Sequence, residues 1–120
     1  MFVTINKEIF KVKVCKTKSE TQRGMMGREF IGFDGILFFM GKGEHSFWML
    51  NCIIPLDIIF IDENHRITKI HHNCEPCEPY EYELCQTYEG SGTYVLEIEG
   101  GRCQDENIEE GDICKFLIKI

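Results

Sequence analysis

The chain has 120 residues, enough for a single domain with its own core, so we expect one domain over residues 1–120. Its formal net charge is −7, and residues 29–120 hold eighteen acidic against six basic side chains. This acidic excess argues against nucleic-acid binding, because phosphates need clustered positive charge. There is no apolar run of ~20 residues and no signal-peptide pattern. We therefore expect no membrane contact and a cytoplasmic location.

Amino-acid usage gives an expectation about the source of the gene. The chain has no alanine, sixteen isoleucines, and nine lysines to four arginines. This usage is typical of an AT-rich genome. We therefore expect a viral or small microbial gene, which the base composition of the gene would test.

The first predicted elements are a strand and a helix. Residues 9–14 alternate between apolar and polar side chains, as a half-buried strand does. In "SETQRGMMGREF", Ser19 and Gln22 have the spacing of a capping box, which starts a helix. We expect a short helix over residues 20–29, packed closely against a sheet because it contains two glycines.

The remaining elements are predicted to be strands. Residues 36–40 and 57–61 are continuous apolar runs, typical of strands covered on both sides. The glycines of "EGSGTY" predict a turn before residues 93–99. In residues 93–99 the side chains alternate between two faces, and Glu97 is predicted to lie on the face toward solvent. Residues 114–120 show the same alternation. The chain is thus predicted to be α+β, mainly β: a small barrel-like or rolled sheet of about eight or nine strands with one short helix.

The segment "FWMLNCIIPLDIIFID" is strongly apolar yet contains three residues that interrupt a strand. Pro55 has no N–H to donate, so it marks a bend, and the side chains of Asn51 and Asp57 can accept backbone N–H groups that the bend leaves open. The functional alternative is a ligand-binding site, with an aromatic wall and a directed amide. Its candidate residues are Trp48, Met49, Asn51 and Asp57.

The preceding residues offer a possible hydrolytic set of Glu44, His45, Ser46 and Asp57. Adjacent residues of a strand point to opposite faces, however, so His45 and Ser46 are not expected to meet. A small hydrolase of unrecognised type is therefore an alternative to a binding domain.

The stretch "HHNCEPCEPYEYELC" is the strongest metal-site pattern in the chain. Cys-x-x-Cys spacing lets two thiolates bind one zinc ion, and three cysteines with one histidine form a known structural zinc site. A disulfide or redox pair of Cys74 and Cys77, or simple packing, explains the same residues, and residues 80–84 alternate like a strand. The acidic neighbours disfavour a reactive thiolate. The candidate zinc ligands are His71, His72, Cys74, Cys77 and Cys85.

Five motifs occur in order from about Thr17 to Phe116: "QRGMMGREF", "GILFFM", "FWMLNCIIPLDIIFID", "YVLEIEGG" and "NIEEGDICKF". Together they resemble the DUF192 family of small uncharacterised domains. The resemblance implies a mostly β domain with one helix. It implies no established reaction and no role for the cysteines.

The leading functional prediction is a non-catalytic binding or accessory domain whose partner is a small molecule or a protein. Its candidate site is the set that contains Trp48, Asn51 and Asp57, and it needs no cofactor. A domain stabilised by zinc through residues 71–85 is the first alternative, and a small hydrolase is the second. An enzyme is the less favoured class.

Overall fold

The computed structural model describes residues 1–118, so Lys119 and Ile120 of the predicted last strand lie outside them. Neither α-helix in this range has the length and apolar character needed to cross a bilayer. The described elements, in chain order, are β1 (Phe2–Ile5), β2 (Glu8–Cys15), α1 (Lys18–Arg23), β3 (Gly35–Trp48), β4 (Leu56–Ile61), β5 (Ile67–Cys74), a 3-10 helix (Pro79–Leu84), β6 (Thr87–Glu99), α2 (Arg102–Asp105) and β7 (Cys114–Leu117).

The strands of the described residues form one curled sheet in the order β5-β4-β6-β3-β2-β1-β7. β2 and β3 run parallel, and all other neighbours run antiparallel. The two outer strands, β5 and β7, approach each other at their starts. The N–H of Ile67 donates to the carbonyl of Asp112 at 2.8 Å, and the N–H of Cys114 donates to the carbonyl of His65 at 2.7 Å. The predicted rolled, mainly β fold is confirmed, with seven strands rather than eight or nine.

Two local predictions are wrong, and they help to explain the strand count. The glycines of "EGSGTY" lie within β6, not in a turn: a Cβ at Gly90 would meet the Phe60 ring at 2.5 Å, and one at Gly92 would meet the Ile61 carbonyl oxygen at 2.8 Å. Close approach of β4 therefore requires them. Residues 80–84 belong to the 3-10 helix, which Pro79 starts because its fixed φ suits a first helical turn.

Helix α1 begins two residues earlier than predicted and is shorter. Its N-cap is Thr17, whose hydroxyl accepts the Glu20 N–H at 3.2 Å, while the Glu20 carboxylate accepts the Thr17 N–H at 2.9 Å. This capping box replaces the one predicted for Ser19 and Gln22, because a carboxylate is a stronger acceptor for the free N–H groups than an amide. The helix ends at Arg23, since Gly24 has a φ of +45°.

Strand β6 is central in the sheet and is covered on both faces. Leu96 and Ile98 pack into one cluster with residues of β1, β2 and α2. Val95 packs into a second cluster on the other face, which includes Met25 from the loop after α1. The prediction that one face of residues 93–99 points to solvent is therefore wrong. The face that carries Glu97 is also buried, because α1 and the loop after α1 cover that face.

Asp57 is fully buried in β4 and holds together three parts of the chain. Its carboxylate accepts the backbone N–H groups of Asn73 at 2.9 Å, Gly101 at 3.1 Å and Cys103 at 2.9 Å. The structural interpretation of Asp57 is thus supported, since its side chain accepts N–H groups at the end of β5 and at the start of α2. Buried donors that are paired in this way avoid a large desolvation penalty.

We expect Asp57→Ala to lower the free energy of unfolding by about 3 kcal/mol, because three backbone donors lose their acceptor. Urea denaturation followed by circular dichroism measures this change. Asp105→Ala is the matched control: Asp105 is an exposed aspartate of α2, and its loss should change stability by less than about 0.5 kcal/mol. Equal effects of the two substitutions would contradict the structural role of Asp57.

Candidate functional site

The side chain of Glu97 is only 4% exposed, and nothing in the described part of the chain pairs with it. It lies in the middle of the sheet, opposite Ile36 of β3 and Ile58 of β4. Burial among apolar neighbours disfavours the charged form and raises the pKa of Glu97 to about 8. At neutral pH this side chain is therefore mainly a carboxylic acid, which can both donate and accept a hydrogen bond.

Glu97 opens into a cavity of about 420 Å³, which we call the Glu97 cleft. Its floor and walls are mostly apolar and aromatic, and its polar lining groups, apart from Glu97, come from α1 and from Ser46. The lining residues are Thr21, Gln22, Arg23, Gly24, Met25, Met26, Phe38, Met40, Ser46, Phe47, Trp48, Leu50, Cys52 and Glu97.

Two irregular segments form the walls of the Glu97 cleft. On one side, the chain leaves α1 at Gly24, where an added Cβ would lie 3.2 Å from the Phe38 ring and 3.7 Å from a carboxylate oxygen of Glu97. On the other side, the chain leaves β3 after Trp48. The walls are joined where the Gly27 N–H donates to the Asn51 carbonyl at 2.9 Å. This backbone hydrogen bond fixes the two walls to each other.

The chemistry available in the Glu97 cleft is limited to a few groups. The Cys52 thiol lines it, and burial raises the pKa of that thiol to about 12, with the charge of Glu97 as a second cause. A thiol with so high a pKa is a poor nucleophile. Arg23 is the cation of the lining, and it is exposed. The arrangement is suited to holding a molecule by apolar contacts and one deep polar group.

The predicted ligand-binding residues do not form one site. Trp48 lines the Glu97 cleft and is 41% exposed, whereas Met49 is buried in the core. Asn51 occupies a turn with a φ of 62°, and its N–H donates to the Cys77 carbonyl at 3.0 Å. Asp57 pairs with Ile98 and so faces the opposite side of the sheet from Glu97. Of the predicted set, only Trp48 lines this cleft.

The predicted zinc ligands are also not assembled. Cys77 and Cys85 form a disulfide with a Cα–Cα distance of 5.8 Å, while Cys74 is buried in the core as a free thiol. A disulfide between Cys74 and Cys77 is therefore not the pairing seen. The His71 ring bonds the Glu89 carbonyl at 2.8 Å. Within residues 1–118 no group of three or more histidine, cysteine or acidic side chains could hold a metal ion.

The predicted hydrolytic set is separated as well. His45 bonds the carbonyl of Gly41 at 2.7 Å, and Glu44 accepts a hydrogen bond from Ser91. Ser46 lines the Glu97 cleft, on the opposite face of β3 from its neighbour His45. Asp57 is occupied by backbone donors elsewhere, so no triad geometry exists.

Glu97 is the site residue that the sequence analysis missed, although a signal for it was present. Its strand carries Val95 on the side that was predicted to face solvent, between Tyr94 and Leu96. Apolar residues on both sides of a strand indicate burial on both faces. Glu97, two residues after Val95, must then point into the same interior as Val95.

The DUF192 family, described as "Uncharacterized ACR", matches residues 1–116 of this chain. The chain is a member of the DUF192 family. The resemblance predicted from the five motifs is thus confirmed. Family membership brings no reaction with it, because DUF192 is a family of unknown function. No curated protein matches the chain.

Two solved structures are similar to this DUF192 domain. One is a protein of unknown function from Novosphingobium aromaticivorans DSM 12444, with a TM-score of 0.84 and 30% identity over 96% of this chain and 84% of that chain. The other, from Sinorhizobium meliloti 1021, is named as a candidate transcription regulator. Its TM-score is 0.85, with 24% identity over 95% of this chain and 91% of that chain. The second likeness shows a shared fold alone.

We expect Glu97 to make the stability of the DUF192 domain fall as pH rises. Its pKa is about 8 in the folded protein against an ordinary value of 4.5, so between these values the folded state keeps a proton that the unfolded state has lost. The stabilisation is complete below about pH 4.5 and disappears through pH 8. Between these two pH values, the free energy of unfolding of the wild type should fall by on the order of 4 kcal/mol relative to that of Glu97→Gln.

Urea denaturation at pH 5, 7 and 9 measures this change. Glu99→Gln, an exposed glutamate two residues along the same strand, is the matched control and should follow the wild type. Wild-type and Glu97→Gln stabilities that change in parallel with pH would refute the assignment of a raised pKa to Glu97.

A thiol titration tests the cysteine arrangement against the zinc alternative. Denatured protein prepared without reductant should react with a thiol reagent at five cysteines, because the other two form the disulfide. Cys85→Ser should increase this number by one, since it frees Cys77. Seven reactive thiols together with one equivalent of zinc in the native protein would instead support the zinc site.

Proposed function

We propose that this DUF192 domain is a non-catalytic binding module that takes a small organic molecule into the Glu97 cleft. The observation that carries the proposal is the buried carboxyl group of Glu97, which has no hydrogen-bond or ion-pair partner among residues 1–118 and faces the cavity. The alternative of a structural zinc domain has no specific observation in its favour.

The energetics of Glu97 support a role in binding. A buried polar group without a hydrogen-bond partner destabilises a fold by about 1–3 kcal/mol, and an ionisable one by more. Asp57, the other buried carboxylate of the core, is saturated with N–H donors, so this fold can satisfy such a group when it is structural. A ligand that completes the hydrogen bonds of Glu97 explains why it has none in the protein alone.

The shape of the cleft supports the same proposal. A volume of about 420 Å³ lies in the usual range for small-molecule sites, which are mostly apolar with a few directed polar groups. Trp48 stands at the mouth, where a half-exposed indole can cover a bound molecule. Of the residues predicted from the sequence, the proposed site includes Trp48. Asn51 instead helps to hold the walls of the cleft together, and Asp57 stabilises the fold.

A non-catalytic role is proposed because the lining lacks the parts of an activated site. Catalysis by Glu97 would need a nucleophile or a second acid–base group held beside the reacting atoms. The lining groups of this kind are the hydroxyls of Thr21 and Ser46, neither of which is hydrogen-bonded to a base among the described residues, and Cys52, whose thiol is protonated at neutral pH.

The cytoplasmic location, the viral or small microbial origin of the gene and the absence of nucleic-acid partners remain predictions. The Cys77–Cys85 disulfide is more typical of an oxidising compartment than of the cytoplasm. A free-thiol measurement on protein taken directly from its native source would decide between these compartments.

A thermal-shift screen of small organic molecules tests the proposed function. We expect compounds that raise the melting temperature of the wild type, and we expect Trp48→Ala to weaken their binding at least about tenfold, through loss of one aromatic wall of the cleft. Tyr82→Ala, which removes an exposed aromatic ring outside the lining, is the control and should leave affinity unchanged. A library with no stabilising compound, or compounds indifferent to Trp48→Ala, would refute the proposal.

A further inference from the structure

We propose that the ligand of the Glu97 cleft is an organic ammonium ion, a protonated primary or secondary amine with an apolar or aromatic body. This inference rests on the proposed function and names the class of ligand for the same site. Three observations lead to it: the chemistry of the unpartnered Glu97, the aromatic walls, and the few charges around the cleft.

A carboxyl group at position 97 offers a property that an amide does not. A glutamine at position 97 would have nearly the same shape and would also donate and accept hydrogen bonds, with no ionisation penalty on burial. The distinguishing property of glutamate is that it can become an anion. An anion in this environment needs a cation, and residues 1–118 place none in contact with Glu97. The missing positive charge is therefore assigned to the ligand.

The walls of the Glu97 cleft are suited to an ammonium ion. Phe38, Phe47 and Trp48 all line the cleft. The ring centroids of Phe38 and Phe47 are 5.2 Å apart, and the two rings pack edge to face. Aromatic faces attract ammonium groups, and they do so more strongly where water is excluded. Met25 and Met26 add flexible apolar surface that adapts to the body of an amine.

Few charged or titratable groups surround Glu97. Arg23 of α1 lines the same cleft but is exposed, so water and salt screen its charge. The other groups are thiols: Cys52 after β3, Cys15 of β2 and Cys74 of β5, and burial raises the pKa of each. Neither β3 nor β4 adds a charge to the lining. The net charge of −7 also favours the approach of a cation.

Binding of an ammonium ion then has a defined proton balance. The amine enters with its proton, the Glu97 carboxylic acid releases its own proton to solvent, and the resulting carboxylate accepts hydrogen bonds from the ammonium N–H groups. No covalent bond is made or broken apart from this O–H bond. One proton is therefore released for each amine bound at a pH well below 8. Affinity should rise about tenfold per pH unit up to that value.

Isothermal titration calorimetry with 2-phenylethylammonium and its neutral analogue 2-phenylethanol tests the inference. At pH 6.5, in phosphate and in MOPS, whose ionisation enthalpies differ, we expect release of about one proton per bound amine. The alcohol should bind at least about tenfold more weakly than the amine. Glu97→Gln should weaken amine binding by a similar factor, while Glu99→Gln, the exposed control, should leave it unchanged.

The possible failures are distinguishable. If the alcohol binds as tightly as the amine, or if the amine binds without proton release, the amine class is overturned, whereas the Glu97 cleft stands as a binding site. Proton release is measured on the wild type, so this result does not depend on whether Glu97→Gln folds. If neither probe binds, the amine class is overturned, and if the thermal-shift screen also finds no ligand, the proposed function falls with it.

Discussion

The covering of strand β6 on both faces is the constraint on which the rest of this structure depends. Neighbouring strands pair with both of its edges, and a core cluster covers each of its faces, so every side chain from Val95 to Ile98 is buried. Three of those four residues are apolar and stabilise the fold by burial. The fourth is Glu97, whose carboxyl group is removed from water and has no partner among the described residues. This carboxyl group lines a cavity instead of lying in a packed core.

Two buried acids on opposite faces of the sheet show how environment decides the role of a residue. Asp57 receives three backbone N–H groups and thereby fixes β5 and the start of α2 to β4. Glu97 receives none. A carboxylate saturated by main-chain donors is a structural element, whereas the unsatisfied carboxyl group beside a cavity is the basis of the ligand site proposed above.

The Glu97 cleft exists because the chain around it is irregular. Gly24 and Asn51 both have positive φ, which ends α1 early on one side and turns the chain after β3 on the other. The space between these segments is closed below by the sheet and remains open above. Regular elements would have packed side chains into that space, so the local departures from ideal geometry coincide with the proposed site.

The sequence by itself determined the family, the mainly β fold class and the position of most strands, because alternation and apolar runs are local signals. It also indicated that Asp57 serves backbone geometry. Only the tertiary structure decided that Glu97 is buried, that Cys77 pairs with Cys85, and that Trp48 is separated from Asp57 by the sheet. These facts depend on which segments cover a strand and which distant residues meet, and chain spacing does not carry that information.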